Sequence, residues 1–132
     1  MSINSMTCGI EIKDWSMTKM SFRKLSNPKE GTSIDVSLIC QYRWKQYNGK
    51  TKIEGRAILN FVPKALFEGK FDFIINVSNT DDNIEKDDIL EIVEAIAPPI
   101  GSAISLVSTV CGEAISQMKI IIPPMFTEIK EV

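Results

Sequence analysis

The sequence predicts an α+β fold: a four-stranded antiparallel sheet, then a short helix and a long C-terminal helix packed on one face of that sheet. Three observations lead there. Large apolar residues alternate with polar ones through the first half of the chain, the period-two signature of half-buried strands. An Asn48-Gly49 pair separates two such runs, and a type I′ hairpin turn requires positive φ at both central positions. Beyond the acidic loop at residues 79–82 the apolar spacing changes to three and four, the period of a helix.

The first run, residues 8–25, is long and less regular than the others, with Ile10, Ile12, Met20 and Phe22 expected to point inward. The second places Ile34, Val36, Leu38, Cys40, Tyr42 and Trp44 on one face, against Asp35, Ser37, Gln41, Arg43 and Lys45 on the other. Ile39 is the exception. After the Asn48-Gly49 turn, residues 52–61 set Ile53, Ala57, Leu59 and Phe61 opposite Lys52, Glu54, Arg56 and Asn60. A fourth run aligns Phe71, Phe73, Ile75 and Val77.

Ile89, Ile92, Val93 and Ile96 then mark a short helix whose early acids, Asp87 among them, suit a helix N-terminus. Pro98-Pro99 is expected to break it, since the residue before a proline is pushed out of the α region. A longer helix over residues 99–118 carries an apolar stripe of Ile100, Ala103, Ile104, Val107, Val110, Cys111, Ala114, Ile115 and Met118. Its other face holds Ser102, Ser105, Ser108, Thr109, Ser116 and Gln117, with Glu113 the sole charge. Interface cores are depleted in charge. Ser102, Ser105, Thr109 and Ser116 are therefore candidates for a subunit contact, the alternatives being an open face or one covered by the chain's own tail. That tail, residues 119–132, contains Pro123-Pro124 and reads as extended.

At 132 residues the chain suits one domain, and 44% hydrophobic with 24% charged residues is a globular composition. A net charge of -2 supplies no basic footprint for nucleic acid and no polybasic patch for anionic lipid. Cys8, Cys40 and Cys111 form no CxxC pair, and without a signal-like N-terminus they suggest buried free thiols in a reducing cytoplasm. The apolar-rich region at residues 89–122 is interrupted by Glu94, Pro98, Pro99, Glu113 and Lys119, so no membrane span is expected.

Chemistry has few places to reside. Histidine is absent, which removes Ser-His and Cys-His pairs, and the seven glycines form no phosphate loop. Asp81-Asp82 and Asp87-Asp88 read as a solvated loop and a dipole-matched helix start rather than a metal site. No catalytic residue, metal or cofactor is expected. The remaining signal is apolar: a four-stranded sheet with two helices on one side cannot hide every large residue. Trp15, Phe22, Trp44, Phe61, Phe67, Met125 and Phe126 are the candidates to line a groove for extended polypeptide, because aromatic and Met side chains accept varied partners.

Local sequence adds a family resemblance. The stretch Ile12-Lys13-Asp14-Trp15-Ser16-Met17-Thr18-Lys19-Met20-Ser21-Phe22 resembles the first strand of the SecB export chaperones, with its Ile-Ser-Phe core. Ile92-Val93-Glu94-Ala95-Ile96-Ala97-Pro98-Pro99-Ile100 is similar to that family's entry through a proline into its long helix. Ile120-Ile121-Ile122-Pro123-Pro124-Met125-Phe126 resembles its closing Leu-x-Leu-x-Pro-x-x-Phe pattern. The resemblance spans residues 9–129 and implies a tetrameric, ATP-independent holdase whose helices and first strand build the subunit contacts. Family members carry acids around the Ile-Ser-Phe core that engage the export motor ATPase. Lys19 and Arg23 stand at the matching positions here, and reversing both charges argues against that motor as a partner.

The leading expectation is thus a SecB-like holdase for unfolded or precursor polypeptide, forming a homo-oligomer (dimer or tetramer). The alternatives are a dedicated binder of one partner, such as the antitoxin of a toxin–antitoxin–chaperone system, and a small-ligand carrier.

Overall fold

The computed structural model describes residues 10–79 and 84–132. Among them the elements are β1 (Ile10–Lys24), β2 (Asp35–Tyr47), β3 (Lys50–Val62), β4 (Phe67–Asn79), α1 (Lys86–Ser116) and β5 (Glu128–Glu131). The sheet runs β1-β4-β3-β2-β5. All pairings are antiparallel except that of β5, which lies parallel to β2. Cys8, Asp81 and Asp82 lie outside the described residues.

The strands form as their alternation predicts, and Asn48 and Gly49 close the β2–β3 hairpin at φ 50° and 72°. Directly opposed residues share a face, so the register stacks side chains in rows beneath α1. One row is Trp44–Ile53–Ile75–Trp15, the next Tyr42–Gly55–Phe73–Met17, the next Cys40–Ala57–Phe71–Met20. In the second row a small residue makes room for large ones. A Cβ on Gly55 would stand 2.1 Å from the Phe73 ring, so only glycine admits that ring here. The irregularity of β1 has a cause: register shifts between Ile12 and Asp14 and between Met17 and Lys19 reset the alternation twice. They turn Ile12, Trp15, Met17, Met20 and Phe22 all toward the helix side.

Two expectations are corrected. The short helix and the long one are a single helix of 31 residues that runs through Pro98 and Pro99. Both prolines are exposed, so the carbonyls they leave without an N–H partner, those of Glu94 and Ala95, sit on or near the solvent side. Inward, Ile89, Ile92, Val93, Ile96, Ile100 and Ile104 are buried without interruption. Each such side chain gains about 1.5–3 kcal/mol on burial, enough together to offset ~3 kcal/mol or more per interior proline. The helix is capped by Glu85, whose backbone N–H donates to the Asp88 carboxylate at 3.0 Å. By length and composition alone α1 is long and apolar enough to span a membrane; its buried face packs against the sheet.

The second correction is the fifth strand. The tail is extended, as its prolines require, but it ends as β5 against the outer edge of β2. On the way Ile122 is buried in the core, its carbonyl accepts a hydrogen bond from the Ser105 hydroxyl, and Pro124 passes so close to Gly101 that a Cβ there would meet its carbonyl at 2.5 Å.

Candidate polypeptide-binding surface

The structure divides the seven groove candidates into three groups. Phe61 and Phe67 belong to the core, which corrects their assignment to a groove. Phe67 is 0% exposed, edge-on to Phe61 at 5.1 Å and to Phe22 at 6.0 Å. A Cβ on Gly112 would stand 2.5 Å from its ring, so α1 is seated directly on it. No polypeptide reaches these two rings while the helix is in place.

Trp15 and Phe22 are half-buried at the β1 margin, in line with half-buried Met17 and exposed Met20. Phe22 packs edge-on to Phe71 at 5.5 Å. Trp44 stands at the opposite margin, three strands from Trp15 in the same row, or about 14 Å at ~4.8 Å per strand. A hollow of about 480 Å³ separates it from the start of α1, lined by Trp44, Ile84, Glu85, Lys86 and Asp87. Phe126 is half-buried against the core on the tail that reaches this β2 margin, and Met125 beside it is 74% exposed. The candidates therefore form two separate apolar margins, not one groove.

The Ser-rich helix face is also redistributed. Ser116 is buried, its hydroxyl donating to the Gly112 carbonyl at 2.6 Å, and Ser108 is buried as well. Ser105 is taken by the chain's own tail. Small residues line this inward face because Phe67 fills the space from the sheet side. Ser116 and Ser105 are thus used within the chain, whereas Ser102 is exposed and Thr109 half-buried. Beside them sit Leu106 and Val110, 69% and 64% exposed. Val110 was expected to face inward, and Leu106 escaped notice because it is a lone large residue among serines and threonine. That isolation on a nearly uncharged face is the signal that would have found it.

The opposite face of the sheet carries cross-strand ion pairs beside half-buried Ile39, Ile58 and Ile74. Arg56 donates to both carboxylate oxygens of its cross-strand partner Asp72, at 2.7 and 3.3 Å. Arg43 pairs with Glu54 at 3.0 Å and Arg23 with Glu68 at 2.9 Å, each directly across the ladder. The Arg56 hydrogen bond holds the Asp72 carboxyl below its usual range, and Lys19, opposite Asp72 in the register, adds to the effect. The Arg43 hydrogen bond lowers Glu54 likewise. Lys19 and Arg23 therefore face acids of their own sheet. A hollow of about 380 Å³ on this face is lined by Thr18, Gln41, Ile74 and Val132 among others, together with the Arg43–Glu54 and Arg56–Asp72 pairs.

Beneath the tail, burial pushes the Cys40 thiol up to about 12, and burial followed by the nearby Glu131 raises Tyr42. An unfolded thiol ionises near pH 9. The native state thus keeps a proton that the unfolded state loses, so stability is complete below pH 9 and falls as pH rises toward 12. The rise from 9 to about 12 corresponds to at most ~4 kcal/mol. Melting temperature is expected to decline between pH 8 and 11, less steeply in Cys40→Ala; an unchanged slope in that variant excludes the buried thiol as its source. Among the described residues no cluster of acids and thiols suits a metal ion.

No family model matches the chain, and no curated protein matches it by sequence. Comparison of folds does find a match. The structure of a Mycobacterium tuberculosis SecB-like chaperone, solved in complex with a ChAD peptide from the HigA1 antitoxin, superposes with a TM-score of 0.65 over 90% of this chain and 94% of that one. Sequence identity is 11%. At that identity the likeness establishes architecture alone: the chain has the SecB-like fold.

Proposed function

We propose that this chain is a non-enzymatic chaperone that holds extended apolar polypeptide without nucleotide, acting in the cytoplasm as a homo-oligomer. The observation that carries the reading is a SecB-like fold whose two sheet margins keep large apolar side chains partly in water: Trp15, Met17, Met20 and Phe22 at one, Trp44, Met125 and Phe126 at the other. Self-association is assigned to the β1 margin and to the outward ridge of α1 with Ser102, Leu106, Thr109 and Val110. β1 is a 15-residue edge strand, and such an edge is a template for pairing with another chain. Client binding is assigned to the β2 margin. Trp44 supplies a flat apolar anchor there, and Met125 an adaptable one.

The test is suppression of aggregation. The purified protein is expected to delay the light scattering of a reduced, denatured client at near-stoichiometric ratios with no nucleotide present. Failure both to bind and to delay aggregation would sink the proposal.

A second reading has a specific observation behind it. The structural neighbour was solved holding an antitoxin peptide, and Lys19 and Arg23, at the positions where export chaperones carry motor-binding acids, are ion-paired or opposed to acids within the sheet. These features favour a dedicated antitoxin-type client over the export pathway. Affinity capture from the native host separates the two, with one stoichiometric partner expected for the dedicated binder and a broad set of precursors for the export chaperone.

A further inference from the structure

The outer edge of β2 is occupied by a strand that contributes almost nothing except backbone. β5 pairs parallel with Ile39, Cys40, Gln41 and Tyr42. Just before it the Thr127 N–H donates to the Leu38 carbonyl at 2.8 Å, and Oγ1 of Thr127 both accepts from the Leu38 N–H at 3.2 Å and donates to the Leu38 carbonyl at 3.0 Å. Just after it the Val132 N–H donates to the Tyr42 carbonyl at 2.9 Å. The side chains hold little: Glu128, Lys130 and Glu131 are exposed, and Ile129, opposite Cys40, is only half-buried. The fixed part of the tail ends earlier, at buried Ile122 and half-buried Phe126. A hinge between Phe126 and Thr127 would free β5 and leave the core intact.

Strand addition to a sheet edge takes its affinity from main-chain hydrogen bonds and its selectivity from alternate side-chain positions. The edge under β5 has both. It presents the N–H and C=O groups of residues 38–42, the Ile129 position beside Cys40, and half-buried Trp44 further along the same face of β2. We infer that β5 is an exchangeable occupant, and that a client segment in extended form, with an apolar or β-branched residue in the place of Ile129, binds by displacing it and pairing with β2. This deepens the polypeptide-binding reading above and rests on it. The self-strand keeps an adhesive edge covered until a client competes for it, which is also how sheet proteins avoid unwanted pairing.

The geometry supplies its own lock. Ile129 and Cys40 are register partners in a parallel ladder, with Cα atoms ~4.8 Å apart, inside the range a disulfide spans. Oxidised Ile129→Cys should therefore hold β5 down through its new thiol and Cys40. The probe is reduced, carboxymethylated α-lactalbumin, a permanently unfolded chain. Its affinity is expected to fall at least roughly tenfold when the variant is oxidised and to return on reduction, with oxidised wild type unchanged. Conversely, Thr127→Pro removes the N–H and hydroxyl that clasp Leu38, and is expected to tighten binding roughly tenfold by raising the fraction of open edge. Equal affinity in the locked and reduced forms, or no gain in Thr127→Pro, overturns the inference while leaving client binding intact. Absence of binding in every form overturns the functional reading and this inference together.

Discussion

Replacing Phe67 with alanine is expected to remove about 3–5 kcal/mol of folding stability, the usual cost of deleting a fully buried aromatic ring. The ring is 0% exposed, stacks edge-on against Phe22 and Phe61, and supports α1 at Gly112. Small residues on the helix, Ser108, Gly112 and Ser116, leave nothing able to fill the vacated space. The urea midpoint should fall sharply with the slope of the transition unchanged. Met125→Ser makes the contrast. That side chain is 74% exposed, so stability should shift by no more than ~0.5 kcal/mol while affinity for an unfolded client declines. If instead Phe67→Ala folds normally and loses only client binding, the ring lines a groove and the core described here is wrong.

The second large effect concerns self-association. Leu106 and Val110 lie one turn apart on the outward ridge of α1, and Glu113 is the only charge between Pro98 and Met118. A glutamate placed at each would be desolvated without a cation in any interface built on that ridge. Central interface positions of this kind lose ~2 kcal/mol or more on disruption, so the pair should weaken association roughly a thousandfold. Light scattering should then report a monomer for Leu106→Glu/Val110→Glu and an oligomer for the wild type, with the circular dichroism of the two alike because both positions already face water. A wild type that is monomeric at tens of micromolar, or a double variant that keeps its mass, removes this ridge from the assembly.

Much of the fold was legible in advance, for reasons that are local. Alternation in β2, β3 and β4 named the inward residues, because side chains one residue apart must point to opposite faces whatever else the chain does. Asn48-Gly49 marked its turn because few other residues adopt positive φ twice in succession. β1 was harder: its two register shifts are visible only against the β4 partner, so a single alternation could not place Trp15 and Met17 on the same face as Ile12 and Phe22. The prolines misled in the other direction. A helix break at Pro98-Pro99 is the local expectation, and it was overridden by six buried residues spaced along the inward face of α1.

The candidate surface was legible as a composition but not as a place. Sequence alone determined that this chain is rich in large apolar residues for a small sheet with helical cover on one face, that histidine chemistry is closed to it, and that its tail is extended. Only the tertiary structure decided that Phe61 and Phe67 are core, that Trp15 and Trp44 stand at opposite margins, that Ser105 and Ser116 face the chain itself, and that the tail ends as a strand on β2. The difference is one of range. Periodicity, turn chemistry and residue type act over a few neighbouring positions, whereas burial at Phe67 or pairing at Thr127 depends on partners some 45 and 89 residues away, Gly112 and Leu38, whose approach no local pattern records.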